Sequence, residues 1–274
     1  MNILATDKRA QILNCLAEGC SMRSTARLTG VAKKTVERML VAAGKACAEY
    51  QNKVMVNLPC TLLQVDEIWS FTYAKQKNVP DHLKGRKDVG DTWTWIAMDS
   101  KSKLIPCWHV GKRDATDAYQ FINDLAPRLA SRVQLTSDGL KAYVEAVEGA
   151  FGSEIDYAQL VKLYGNENHG GEVRYSPAVC TGSRKNKITG NPDRKLISTS
   201  HIERQNLTLR MNNRRFTRLT NAFSKKLENH KHAAAIYFMF YNFCRIHSTL
   251  RVTPAMEAGI TDHVWTLEEV VGLI

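Results

Sequence analysis

The chain has no CxxC pair, and its seven cysteines are odd in number. That excludes a fully paired disulfide framework and favours reduced thiols, as in a cytoplasmic protein. Cys15 and Cys20 lack a second Cys/His pair at zinc-finger spacing, which argues against a structural zinc. No basic-then-apolar leader opens the sequence. The longest apolar stretch, Ala233–Phe243, is interrupted only by Asn242. It is too short to cross a bilayer and suits a buried helix, so no membrane partner is expected. Internal repeats and low-complexity tracts are missing as well. Acidic residues are scarce beside basic ones: 27 Asp and Glu against 38 Lys and Arg leave a net charge of +11. Such an imbalance favours a polyanionic partner.

What is present is ordinary globular composition. The 274 residues are 44% hydrophobic and 24% charged, enough for one sizeable domain and a small accessory one. Residues 1–50 read as a small all-α unit. Leu4, Ile12, Leu13 and Leu16 form an apolar stripe that ends at Glu18-Gly19. Ser21 or Ser24 can cap a short second helix, Thr29-Gly30-Val31 forms a tight turn, and a third helix runs from about Ala32 to Tyr50. Helix, short helix, glycine turn and basic helix follow the order of a helix-turn-helix. Lys33, Lys34, Thr35 and Arg38 occupy the first two turns of the third helix, where base edges and phosphates would be met.

A polar joint at 51–60 leads into a domain spanning 61–220, with a helical extension over 221–274. Thr61–Tyr73, Thr92–Asp99 and Lys103–Gly111 are rich in β-branched and aromatic residues and read as strands. Helical spacing follows over Asp114–Ala130, a strand over Arg132–Thr136, a helix over Leu140–Val147 and a fifth strand near Ile155–Leu163. This order predicts an α/β fold, an RNase H-like mixed five-stranded sheet flanked by helices. Residues 165–198, rich in Gly and Pro, read as a long connection. The chain then returns to helix from Ser200.

Three acids stand in suggestive places: Asp66 in LLQVDEIWSF, Asp138 in VQLTSDGLKAY and Glu203 in STSHIERQNLTLR. Strand alternation puts Asp66 with Ile68 and Ser70 on one face, and Val65, Glu67 and Trp69 on the other. Each acid has a plainer reading. Asp66 could lie in water on an edge strand. Asp138 could belong to a turn, and Ser200-x-x-Glu203 matches a capping box. Glu67, Asp99 and Asp114 are substitutes for any of them, the strongest being Asp99, which ends a neighbouring strand. Taken together, three carboxylates on a basic chain suit divalent cations and phosphoryl chemistry. Between Arg184 and Arg218, ten Lys and Arg face only two acids. The strip Arg204, Arg210, Arg214, Arg215 and Arg218 would follow phosphates, with His201 beside them. His230 and His232 read as residues of a solvated helix end.

VDEIWSF, TSDG, SHIERQNLTLRMNNRRFTR and the terminal YNFCRIHSTLRVTPAMEAG resemble the DDE transposases of bacterial insertion sequences, most nearly the insertion-sequence-one family. The resemblance covers Leu62 to Gly259. It implies a metal-binding catalytic triad of Asp66, Asp138 and Glu203, using two Mg²⁺ for which Mn²⁺ can substitute. Arg210, seven residues after Glu203, would hold DNA near the scissile phosphate. The partners implied are duplex DNA of the element ends and target, and a second copy of the chain. Many family members carry a cysteine-rich motif before the helix-turn-helix, and this chain has none. A structure-selective nuclease and a non-catalytic DNA-binding regulator are the competing readings.

Overall fold

The computed structural model describes residues 4–165, 180–218 and 220–274. Three helices open the chain: α1 (Thr6–Ala17), α2 (Met22–Thr29) and α3 (Lys33–Val54). The Ser21 hydroxyl accepts from Ser24 N and starts α2, and Gly30 ends it with φ +72°, a left-handed geometry suited to glycine. Val36 is fully buried, with Ala26 and Val31 packed against the same apolar cluster. The expected joint at 51–60 is no loose linker. Met55, Leu58 and Cys60 are buried, and Leu58 exchanges backbone bonds with Arg128 O and Ala130 N.

The sheet is built from β1 (Leu62–Thr72), β2 (Gly90–Asp99), β3 (Trp108–Gly111), β4 (Gln134–Ser137), β5 (Asp156–Tyr164) and β6 (Cys180–Thr189). Helix α4 (Ala115–Leu125) precedes β4, and α5 (Ala142–Phe151) follows it. Strand order is β3-β2-β1-β4-β5-β6. The first three strands pair antiparallel, and β4 pairs parallel with both β1 and β5. This is the RNase H-like arrangement, carrying one strand more than the five expected. The sixth, β6, falls inside the stretch read as a connection and pairs antiparallel with β5. Both of its faces are largely exposed, so no apolar alternation marks it in the sequence. Residues 166–179 of that expected connection lie outside the described residues.

Strand alternation divides the core in two. Leu63, Val65, Trp95 and Ala97 face α4 and α5, where Trp95 packs against Phe121 and Tyr143. Ile68, Ile96 and Met98 face α6 (Ser200–Asn212) and α7 (Leu227–Met239), meeting Ile202, Leu209 and Phe238. Each such side chain contributes about 1.5–3 kcal/mol when fully buried. Helix α7 touches both clusters, with Ala235 and Met239 in one and Ala234 and Phe238 in the other. Its second half, Ala234–Met239, is buried on all sides, and such a segment needs apolar residues all round, which explains the run there. Two short helices, α8 (Pro254–Glu257) and α9 (Leu267–Gly272), close the chain.

Candidate active site

The register of β1 and β4 brings two of the acids together. Parallel pairing between these strands stops at Gln64 and Thr136. Two residues further along the chain in each case stand Asp66, within β1, and Asp138, just past the end of β4, close together where the strands part. Oxygens of Asp66, Glu67 and Asp138 lie within 4.8 Å of one another. Asp138 does not cap α5, which begins at Ala142 behind Lys141. It makes a local turn instead, with Oδ1 accepting from Leu140 N at 2.9 Å.

Helix α6 is fastened to β1 at three levels. Its first-turn donors, His201 N and Ile202 N, both bond to Gln64 Oε1 at 3.0 Å. Asn206 Nδ2 donates to Asp66 Oδ2 at 2.8 Å. Arg210 donates to Trp69 O at 3.2 Å. Gln64 thus does the work of a helix cap, because Thr199 at the cap position offers no side-chain cap bond. The Ser200–Glu203 capping box does not form. The Glu203 carboxylate is instead held by Lys162 of β5, at 2.6 and 2.5 Å, and by Thr199 Oγ1 at 2.6 Å. Glu203 is outside the 4.8 Å group, yet its charge reaches Asp66.

Burial, then Glu67, Asp138 and Glu203, push the Asp66 carboxyl up to about 7. Glu67 is also raised, by burial and by Asp138, against the opposing pull of Arg113. Glu67 sits on the α5 side of β1, where Arg113 Nε donates to it at 2.6 Å and Tyr143 Oη at 3.0 Å. Arg113 stacks on Trp93 at 4.9 Å and extends its second nitrogen to 3.8 Å from Asp138 Oδ2.

These groups fit a hard divalent cation. The donors are carboxylate oxygens, as Mg²⁺ or Mn²⁺ requires. Asp66 is destabilised as an anion by three neighbouring acids, a debt that a nearby cation would cancel. Asn206 Oδ1, on the amide whose nitrogen bonds Asp66, is a buried acceptor with no partner among the described residues.

No protein family model matches this sequence, and no curated protein matches it. Among solved structures it is similar to the Mos1 transposon proteins. The Mos1 strand transfer complex aligns over 57% of this chain and 59% of its own, with 13% identity and a TM-score of 0.24. The Mos1 transposase paired-end complex with left transposon end aligns over 54% and 58%, with 13% identity and a TM-score of 0.22. Both matches span less than two-thirds of the other chain. The RNase H-like assignment rests on the strand order given above.

The remaining candidates divide into inward and outward residues. Lys33, Lys34, Arg38, His201, Arg204, Arg214 and Arg218 are exposed, and Thr35 is half-buried. Lys33 shares a groove of about 530 Å³ with Arg23, Arg214, Arg215 and Lys225, away from the acids. Arg210 and Arg215 turn inward. Arg210 also donates to Phe216 O, and Arg215 to Ser224 Oγ. Burial lowers both guanidinium groups to about 10. His230 is not on a solvated helix end. It is fully buried between Ser70 and Ser224, and burial takes it down to about 3. Asp99, the suspected substitute, is consumed by the turn it anchors: it accepts from Thr61 N, Leu62 N, Lys101 N and Ser102 N. Sequence reasoning missed Arg113, Lys162, Gln64 and Asn206. Only Asn206 carried a signal, one turn beyond Glu203 on the same helix.

Proposed function

We propose that this protein is a DNA transposase that binds the terminal inverted repeats of its own insertion sequence, cuts at them and joins them to target DNA. The observation that carries this reading is the meeting of Asp66 and Asp138 where β1 and β4 part, with α6 fastened to β1 so that the charge of Glu203 reaches Asp66. Asp66, Asp138 and Glu203 would hold Mg²⁺ or Mn²⁺. When bound, two such ions polarise the phosphoryl oxygens and activate the attacking oxygen.

The chain's own groups supply position. Gln64 fixes the start of α6, and Asn206 fixes Asp66, so two acids on different elements keep one geometry. Arg113, stacked and paired, offers a rigid cation beside Asp138. In strand cleavage, water attacks phosphorus in line, a P–O bond forms, and the 3′-oxygen leaves. In joining, the freed 3′-hydroxyl attacks a target phosphate and another 3′-oxygen leaves, so bonds broken equal bonds made. Lys33, Lys34, Thr35 and Arg38, with Arg204, Arg214 and Arg218, would track the duplex, and His201 would approach a phosphate near the acids. Two ends must be held at once, which requires a homodimer or larger assembly.

The test is incubation with Mg²⁺ and labelled DNA carrying the gene's own flanks. Cleaved and joined products from the wild type, lost in Asp66→Asn, are expected. Cleavage without joining would make the protein a nuclease, and binding without either product a regulator.

A further inference from the structure

Of Arg113 and Lys162, which bond Glu67 and Glu203, Arg113 is built to stay and Lys162 is built to move. Arg113 is stacked on Trp93 and bonded through Nε to buried Glu67. Lys162 is held by its ammonium alone, which meets both oxygens of Glu203 and closes them off. Its side chain is 33% exposed and that of Glu203 is 40% exposed, so the pair faces the space a substrate would enter. A lysine ammonium is a compact point charge on a flexible stem. A partly exposed pair of this kind is worth little and exchanges readily.

The charges around the pair define what can displace it. Asp66, Asp138 and Glu67 form one acidic group, and Glu203 acts on Asp66 from α6. A divalent cation bound among Asp66, Asp138 and Glu203 would take the same carboxylate oxygens that Lys162 now occupies. Two cations cannot share them at hydrogen-bond distance without strong repulsion. The ammonium must then leave Glu203 for another anion, and a bound DNA strand would bring phosphates to the acids.

We infer that Lys162 is a positioning residue that holds Glu203 in the metal-free protein, yields it to a divalent cation, and then pairs with a DNA phosphate beside the acids. This rests on the assignment of Asp66, Asp138 and Glu203 as the metal-holding groups. Arg113 keeps its place throughout, because it is stacked on Trp93 and bonded to Glu67, which is not among the metal-holding groups.

The experiment is calorimetric titration of the full chain with Mn²⁺ in the absence of DNA. Lys162→Met should bind Mn²⁺ about fivefold more tightly than wild type, the scale of a partly exposed ion pair. Lys162→Arg should stay near wild type. Lys103→Met is the control for bulk charge, since Lys103 lies at 3.3 Å from His201 Nδ1, two residues from Glu203. Equal tightening in Lys103→Met and Lys162→Met, or none in either, overturns the inference. A second readout is DNA affinity with and without Ca²⁺. Ca²⁺ should strengthen wild-type binding, and Lys162→Met should lose most of that gain. Loss that is the same in both conditions overturns the hand-over to phosphate. If wild-type protein binds no Mn²⁺, or binds it unchanged in Asp66→Asn, the failure is of the metal-site reading itself.

Discussion

Asn206 on α6 donates its amide to Asp66 Oδ2 on β1 at 2.8 Å, while its own carbonyl oxygen is buried without a partner. One side chain therefore joins two elements that each carry an acid. Its bond fixes which Asp66 oxygen faces the opening between β1 and β4. Asn206→Ala should lower single-turnover cleavage by about 10–100-fold, as for other groups that orient metal ligands. Circular dichroism and the thermal midpoint should stay close to wild type. Asn206→Asp should be worse, because it adds a fifth negative charge beside Asp66, Glu67, Asp138 and Glu203.

The raised carboxyl of Asp66 carries a stability cost with a defined sign. Its folded-state value, about 7, lies above the ordinary aspartate value of 3.8. Between roughly pH 4 and 7 the folded protein holds a proton that the unfolded chain has released. Stability of the metal-free protein should therefore fall as pH rises through that window. Asp66→Asn should remove the effect and stabilise metal-free protein at pH 8 by roughly 1–3 kcal/mol, after allowance for solvent screening. Chemical denaturation at pH 5 and pH 8 measures it. Excess Mg²⁺ should stabilise wild type at pH 8 far more than it does the variant.

Arginines of the 204–218 strip should behave in two ways. Arg210 bonds to the carbonyls of Trp69 and Phe216. Arg210→Ala should cost about 1–3 kcal/mol of stability through those unpaired acceptors. Arg214 is exposed, so Arg214→Ala should leave the urea midpoint unchanged. It should instead lower the slope of log binding constant against log salt by about 1. Comparing urea curves and salt titrations for the two variants separates the roles.

Sequence patterns revealed what periodicity and burial govern, and missed what single side chains decide. The strands around Asp66 and Asp138 are buried, so their apolar residues stand out and their lone acids with them. Helix α4 was equally legible from Ala118, Phe121, Ile122 and Leu125, all buried as their spacing predicts. Strand β6 was not, because exposed residues on both faces leave no period of two. Arg210 looked like a phosphate contact because charge is visible in a sequence and direction is not. The same holds for His230, whose polar surroundings gave no hint of a site sealed by Phe216, Ser70 and Ser224. Gln64 as the cap of α6 is a long-range contact between residues 137 positions apart. Nothing local to either segment announces it.

Whether Glu203 or Glu67 completes the acidic site is the sharpest question the geometry poses. Glu67 is nearer to Asp66 and Asp138, but its oxygens are committed to Arg113 and Tyr143. Glu203 is open to exchange, partly exposed and held by Lys162 and Thr199. The measurement is single-turnover cleavage and joining by Glu203→Gln and Glu67→Gln with Mg²⁺ on DNA carrying the gene's own flanks. The account predicts no product from Glu203→Gln. It predicts at least about a tenth of wild-type activity from Glu67→Gln, since an amide still accepts from Arg113. An active Glu203→Gln beside a dead Glu67→Gln would contradict it.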